Sequence, residues 1–266
     1  PADVVVANDP GVCEKTLTYA TPVGIDNCPA SVTALTAGLA SGSSFPVGLT
    51  TVSYEVTDAS ANTATCSFNV TVNDTENPTI LCPGNISQNT DPGVCGAAVT
   101  YAAPVGVDNC AGSVTSLNAG LASGATFPVG LTVVTYEVVD ASSNSAQCSF
   151  NVTITDNEDP VINCPGNISV NNDAGVCGAA VAYATPVGTD NCPAPVTSLT
   201  AGLATGSTFP IGTTAVTYLV TDASSNTATC SFNVVVTDAE NPTIACPADI
   251  TVNNILNVCG ATVAYG

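Results

Sequence analysis

Carboxylates and thiols are the residues of this chain with chemistry to offer, and both recur at fixed places. Acidic linkers ending in proline, NDTENP (73–78) and TDNEDP (155–160), lie between cysteines, and Asp-Asn pairs precede others at Asp108-Asn109-Cys110 and Asp190-Asn191-Cys192. Paired carboxylates can act as acid and base, or as oxygen ligands to a hard cation; thiolates can hold zinc or close disulfides. With no histidine and a single basic residue, Lys15, the chain cannot assemble a nucleophile–histidine triad. Serines such as Ser149 alternate outward along a regular strand, so catalysis is not expected. Zinc is a poor fit because CxxC pairs are absent, whereas thirteen cysteines suit disulfides made in an oxidising compartment.

Net charge is −20 with only 8% charged residues. Nucleic acids and anionic membrane surfaces are recognised through clustered Lys and Arg, so neither is expected as a partner. No unbroken apolar run reaches the ~18 residues that a membrane-spanning helix needs, and insertion is not expected.

The elements that position these groups come in copies. GVC recurs at Cys13, Cys95, Cys177 and Cys259, DNC at Cys28, Cys110 and Cys192, and FP[VI]G from Phe45, Phe127 and Phe209, always with an 82-residue step. That period is too long for a solenoid unit and suits a small independent domain. The expected organisation is module 1 at 1–74 without its first strand, module 2 at 75–156, module 3 at 157–238 and the start of a fourth at 239–266. Pro1 matches Pro83, Pro165 and Pro247, each of which follows a cysteine, so the sequence reads as a mature or excised piece of a longer chain.

Within a repeat, TVVTYEVVD (132–140) alternates Val134, Tyr136 and Val138 against Val133, Thr135 and Glu137, the period of a half-buried strand. DASSNS then supplies turn residues, and in AQCSFNVTI the residues Cys148, Phe150, Val152 and Ile154 share a face, giving a hairpin. GAAVTYAAP, with Val99 and Tyr101 inward, SVTSLNAG, ATFPVG and PTILCPGNISQ read as further short strands. Nothing shows helical periodicity with caps. The expected fold is all-β: tandem immunoglobulin-like antiparallel sandwiches stapled by disulfides.

The joint pattern D-x-x-x-P-x-I-x-C-P, DN, SG-x-x-FP-x-G-x-T-x-V-x-Y, D-x-x-x-N and C-S-F-x-V resembles the hyalin repeat (HYR) family across the full repeats. The resemblance implies an immunoglobulin-like module of secreted or cell-surface proteins, associated with adhesion and long arrays and with no catalytic activity. It also implies pairing of Cys82 with Cys148 and Cys164 with Cys230, since members with two cysteines keep the equivalents of CP and CSF. The second set left within the repeats is Cys13 with Cys28, Cys95 with Cys110 and Cys177 with Cys192. An extended GAAVTYAAP carries the chain ~26 Å from Cys95, so that set requires the next segment to double back. Each longer loop would add roughly 4 kcal/mol and each shorter one roughly 3.

In such a domain the start of the first strand lies at the same end as the loops joining strands two to three and six to seven. That gathers Asp108, Asn109, Asp140 and Asn144 beside Asp74 and Glu76, and Asp190, Asn191, Asp222 and Asn226 beside Asp156, Glu158 and Asp159. Such hard oxygen groups are expected to hold calcium; the alternative is that they only bond their own turns. Sequons at Asn69, Asn73, Asn85, Asn151 and Asn167 are candidates for N-glycosylation.

The function expected is a stalk or fibre segment of an extracellular adhesion protein, or a set of modules binding a glycan or protein multivalently through their loops. Partners are then neighbouring modules, copies of the same chain in a fibre, or an extracellular ligand. Cys66 is expected to pair with a cysteine preceding Pro1, the rival being a head-to-tail bridge from Cys246 of another chain, against which the overlap of residues 247–266 with 1–20 counts.

Overall fold

The computed structural model describes residues 1–264. Module 1 contains β1 (Val4–Ala7), β2 (Glu14–Thr16), β3 (Val32–Ala37), β4 (Ser44–Pro46), β5 (Gly48–Thr57) and β6 (Thr63–Asn73). Module 2 repeats them as β7 (Ile86–Asn89), β8 (Gly96–Ala98), β9 (Val114–Ala119), β10 (Thr126–Pro128), β11 (Gly130–Val139) and β12 (Ser145–Thr155). Module 3 does so as β13 (Ile168–Asn171), β14 (Gly178–Ala180), β15 (Val196–Ala201), β16 (Thr208–Pro210), β17 (Gly212–Thr221) and β18 (Thr227–Thr237). No helix occurs among the described residues, so none is long and apolar enough to cross a membrane.

Each module is a sandwich of a four-stranded sheet, ordered β7-β12-β11-β9 in module 2, and a two-stranded one, β10-β8. Period-two alternation builds its core. Val134 and Tyr136 of β11 lie beside Phe150, Val152 and Ile154 of β12 on the inner face of one sheet, and Phe127 of β10, fully buried, closes the layer from the other sheet. Tyr101 packs edge-on against Phe150 with ring centroids 5.0 Å apart, and its hydroxyl donates to Leu121 O at 2.6 Å.

Two expectations need correction. The sandwich is not antiparallel throughout, because β7 pairs parallel with β12, as β1 does with β6. The first strand meets the far edge of the hairpin, beside a strand running its own way, and Asn85 Oδ1 accepts the Asn151 N–H at 2.9 Å where that pairing begins. Module 1 does possess its first strand: Val4–Ala7 pairs with Val70–Asn73. What modules 2 and 3 add upstream is a short segment bridged as Thr79 to Val107 and as Val161 to Thr189. Residues 239–264 form no strand, since a first strand pairs only with the last strand of its own module.

The chain divides into two compact units. Unit 1 is Pro1–Asp159 together with the loops Asp190–Ala194 and Asp222–Asn226; unit 2 is Pro160–Thr189, Pro195–Thr221 and the chain from Thr227 onward.

Gly120 ends β9 with φ +87°, and a Cβ there would lie 2.7 Å from Val133 O and 2.9 Å from Val134 Cα. Neither backbone atom can yield. Gly120→Ala is expected to cost about 2 kcal/mol or more, read as a lower urea midpoint.

Burial, followed by the hydrogen bond with Tyr54, pushes the Tyr19 phenol up to about 12. Burial and the bond with Tyr218 likewise push Tyr183 up to about 12. An unfolded tyrosine ionises near pH 10, so the folded state keeps a proton that the unfolded state loses. Their stabilisation is complete below pH ~10 and lost as pH rises toward ~12. Tyrosinate absorbance should show these phenols ionising late, with melting temperature falling over that window.

Candidate functional site at the module joint

The joint inside unit 1 is built from four short pieces. The first is the turn Asp9–Cys13, closed by the Val12 N–H on Asp9 O at 3.2 Å, with Gly11 at φ +75°. Its acid, Asp9, accepts from Thr16 N and from Lys15 Nζ, and the lysine ammonium holds that carboxyl below the usual range. The second is the linker after β6. Asn8 Oδ1 accepts the Thr75 N–H, and both Glu76 oxygens accept the Gly11 N–H at 3.0 Å, so Glu76 caps the module it follows.

Module 2 supplies the other two. Asp108 Oδ2 accepts the Cys110 N–H at 2.9 Å, forming a tight Asx turn. Asp140 Oδ1 accepts the N–H groups of Ser142 and Asn144, while Asn144 Nδ2 donates to Asp140 Oδ2 at 2.8 Å. In module 1 the same arrangement, Asn62 on Asp58, holds the Asp58 carboxyl below its ordinary range.

These pieces meet through three contacts. Asn109 Nδ2 donates to Val12 O at 3.1 Å, Asn144 Nδ2 donates to Asp74 O at 3.3 Å, and Cys110 is bonded to Cys13 with Cα atoms 4.8 Å apart. The same contacts recur around residues 156 and 190 in unit 1. There Asn191 donates to Val94 O, Asn226 to Asp156 O, and Cys95 is bonded to Cys192. Burial records the docking: Cys110 and Cys192 are buried, and Cys28, at the same loop position of module 1, is exposed.

The within-module pairs Cys13–Cys28, Cys95–Cys110 and Cys177–Cys192 are therefore corrected. Cys82–Cys148 and Cys164–Cys230 tie each first segment to its last strand, while the other set joins a GVC turn to the DNC loop of the following module. The reason is the extended run after Cys95. It leaves that cysteine beside Thr90 and Asp156 at one end of module 2, whereas Val107 bridges Thr79 at the other. The chain does not double back. Cys28, Cys66, Cys177, Cys246 and Cys259 are free and exposed.

Of the expected oxygen ligands, the fold brings Asp74 to Asp108, and Asp156 to Asp190 and Asn191. Glu76 and Glu158 are turned to the backbone of Gly11 and Gly93, and Asp140 and Asp222 to Asn144 and Asn226. Asn109 spends its amide nitrogen on Val12. Among the sequons, Asn73, Asn85 and Asn167 are exposed and Asn69 and Asn151 half-buried, with Asn85 and Asn167 each accepting a strand N–H.

The sequence matches the HYR domain over residues 1–72, 73–154 and 155–236. The chain belongs to the HYR domain family. It is 42% identical over 200 residues to hyalin of Strongylocentrotus purpuratus, covering 71% of this chain and 16% of that protein. It is 38% identical over 200 residues to hyalin of Lytechinus variegatus, covering 71% of this chain and 36% of that one. The chain thus spans about a sixth and about a third of these relatives. Among solved structures, extracellular cadherin domains 1–5 of protocadherin gamma B2 align over 90% of this chain and 59% of theirs, at 13% identity and a TM-score of 0.35. The HYR match accounts for the repeat. The linkage between successive HYR modules comes from the docked DNC loops.

Mass spectrometry of non-reduced peptides should recover Cys13 linked to Cys110 and Cys95 linked to Cys192. Recovery of Cys13 with Cys28 would contradict the joint.

Proposed function

We propose that the chain is a structural, non-enzymatic segment of an extracellular adhesion protein, a stalk or fibre section that carries tension. One observation supports this reading above others: the disulfides overlap along the sequence. Cys13–Cys110, Cys82–Cys148, Cys95–Cys192 and Cys164–Cys230 together span every peptide bond from residue 13 to residue 230. A load applied at Cys13 crosses to Cys110, runs back along the chain to Cys95, crosses to Cys192, runs back to Cys164 and crosses to Cys230. Most of the backbone is bypassed. Such bonds persist outside the cell, which fits a secreted or surface location.

The free cysteines fit the same role. Cys177 follows the same turn as Cys13 and Cys95, and Cys28 ends the same loop as Cys110, so each offers half a joint to another HYR module, on this chain or a copy. Beside Cys66, a cavity of about 190 Å³ lined by Val23, Gly24, Tyr54 and Val56 fits the segment that Ile80 and Cys82 supply in module 2. Ligand capture through the DNC and Asx loops is the less favoured reading, since Cys110 and Asp140 are buried in the joint.

Single-molecule pulling from the two ends tests the proposal. The oxidised chain should give little extension before rupture, and the reduced chain long unfolding steps. Equal extension in both states would refute the load path, and saturable binding on a glycan or matrix array would favour the ligand reading.

A further inference from the structure

The joints in unit 1 hold acid pairs that hydrogen bonding leaves unbalanced. Asp74 is 6% exposed; its Oδ1 accepts the Glu76 N–H, and its Oδ2 is buried without a partner. Asp108 Oδ1 is likewise buried and unpartnered. A carboxylate oxygen of each, with Sγ of Cys110, lies within 4.8 Å of the others. The second joint repeats the pattern with Asp156, 4% exposed, and Asp190: Asp156 Oδ2, Asp190 Oδ1 and Asn191 Oδ1 are all buried and unpartnered.

Carboxylates at that separation repel, and burial strengthens the repulsion while removing the water that would offset it. The only lysine, Lys15, is engaged by Asp9. The sulfurs of Cys110 and Cys192 are committed to disulfides and are not thiolate ligands. What remains is a cluster of hard oxygens.

We infer that each joint binds calcium, through Asp74 Oδ2 and Asp108 Oδ1 at the first and Asp156 Oδ2, Asp190 Oδ1 and Asn191 Oδ1 at the second. Calcium bonds to oxygen at about 2.3–2.6 Å and accepts irregular sets of six to eight, so one ion reaches two such carboxylates while water completes its shell. Magnesium demands a near-ideal octahedron, and zinc prefers nitrogen and sulfur. The ion neutralises the pair and ties the linker of one module to the DNC loop of the next, beside the disulfide that joins them.

Calorimetric titration and thermal melts of the oxidised chain, in calcium chloride and in EGTA, test the site. About two ions per chain should bind, and calcium should raise the melting midpoint by several degrees, magnesium by less. The double variant Asp74→Asn with Asp156→Asn should lose the calcium shift, yet melt in EGTA at or above the parent because the repulsion is gone. Asp108→Asn with Asp190→Asn should behave alike, which guards against a folding defect in one pair. Asp26→Asn, at the same loop position but in no acidic cluster among the described residues, should keep the full shift. An unchanged midpoint in calcium would overturn the inference. A shift surviving in both double variants would overturn it too, showing diffuse binding to an acidic surface.

Discussion

The bond between Cys13 and Cys110 is the constraint on which the joint depends. It holds the DNC loop of one module against the GVC turn of the module before it, and the hydrogen bonds of Asn109 to Val12 and Asn144 to Asp74 become possible only once that contact is made. A hydrogen bond in partly exposed surroundings contributes about 1 kcal/mol, too little to fix a joint between two small domains. A disulfide closing a loop of roughly a hundred residues removes on the order of 4–5 kcal/mol of chain entropy, if native strain is small.

Modules 2 and 3 can afford a modest core because the staples divide the work. Cys82–Cys148 fastens the first segment to the last strand of its own sandwich, and the cross-module bonds fasten one sandwich to another. At the joint the side chains that look most reactive are consumed: Glu76 on a backbone N–H, Asp140 on its Asx turn, and Cys13 and Cys110 on each other. Among the described residues, Asp74, Asp108, Asp156, Asp190 and Asn191 retain buried side-chain oxygens without a partner.

The sandwich was readable in the sequence because strand periodicity is local. Val134, Tyr136, Phe150 and Val152 alternate as buried strands must, and the structure puts them in one core. The parallel pairing of β7 with β12 was not readable, since alternation is blind to strand direction. The second set of disulfides is hidden for a related reason: Cys95 and Cys110 are near in sequence, and only the direction of the run between them shows that they end far apart. The ~26 Å reach of GAAVTYAAP was the available signal. Likewise, Asp and Asn types pointed to the joint, but which oxygens remain free depends on turn hydrogen bonds that composition does not encode.

The central claim is that a covalent latch fixes the joint. The most direct test is the distance distribution between two site-specific spin labels, one in module 1 and one in module 2, measured with the latch intact and in the Cys13→Ser, Cys110→Ser variant. A single narrow distribution that broadens severalfold in the variant is the expected result. Equal widths in both would contradict the account.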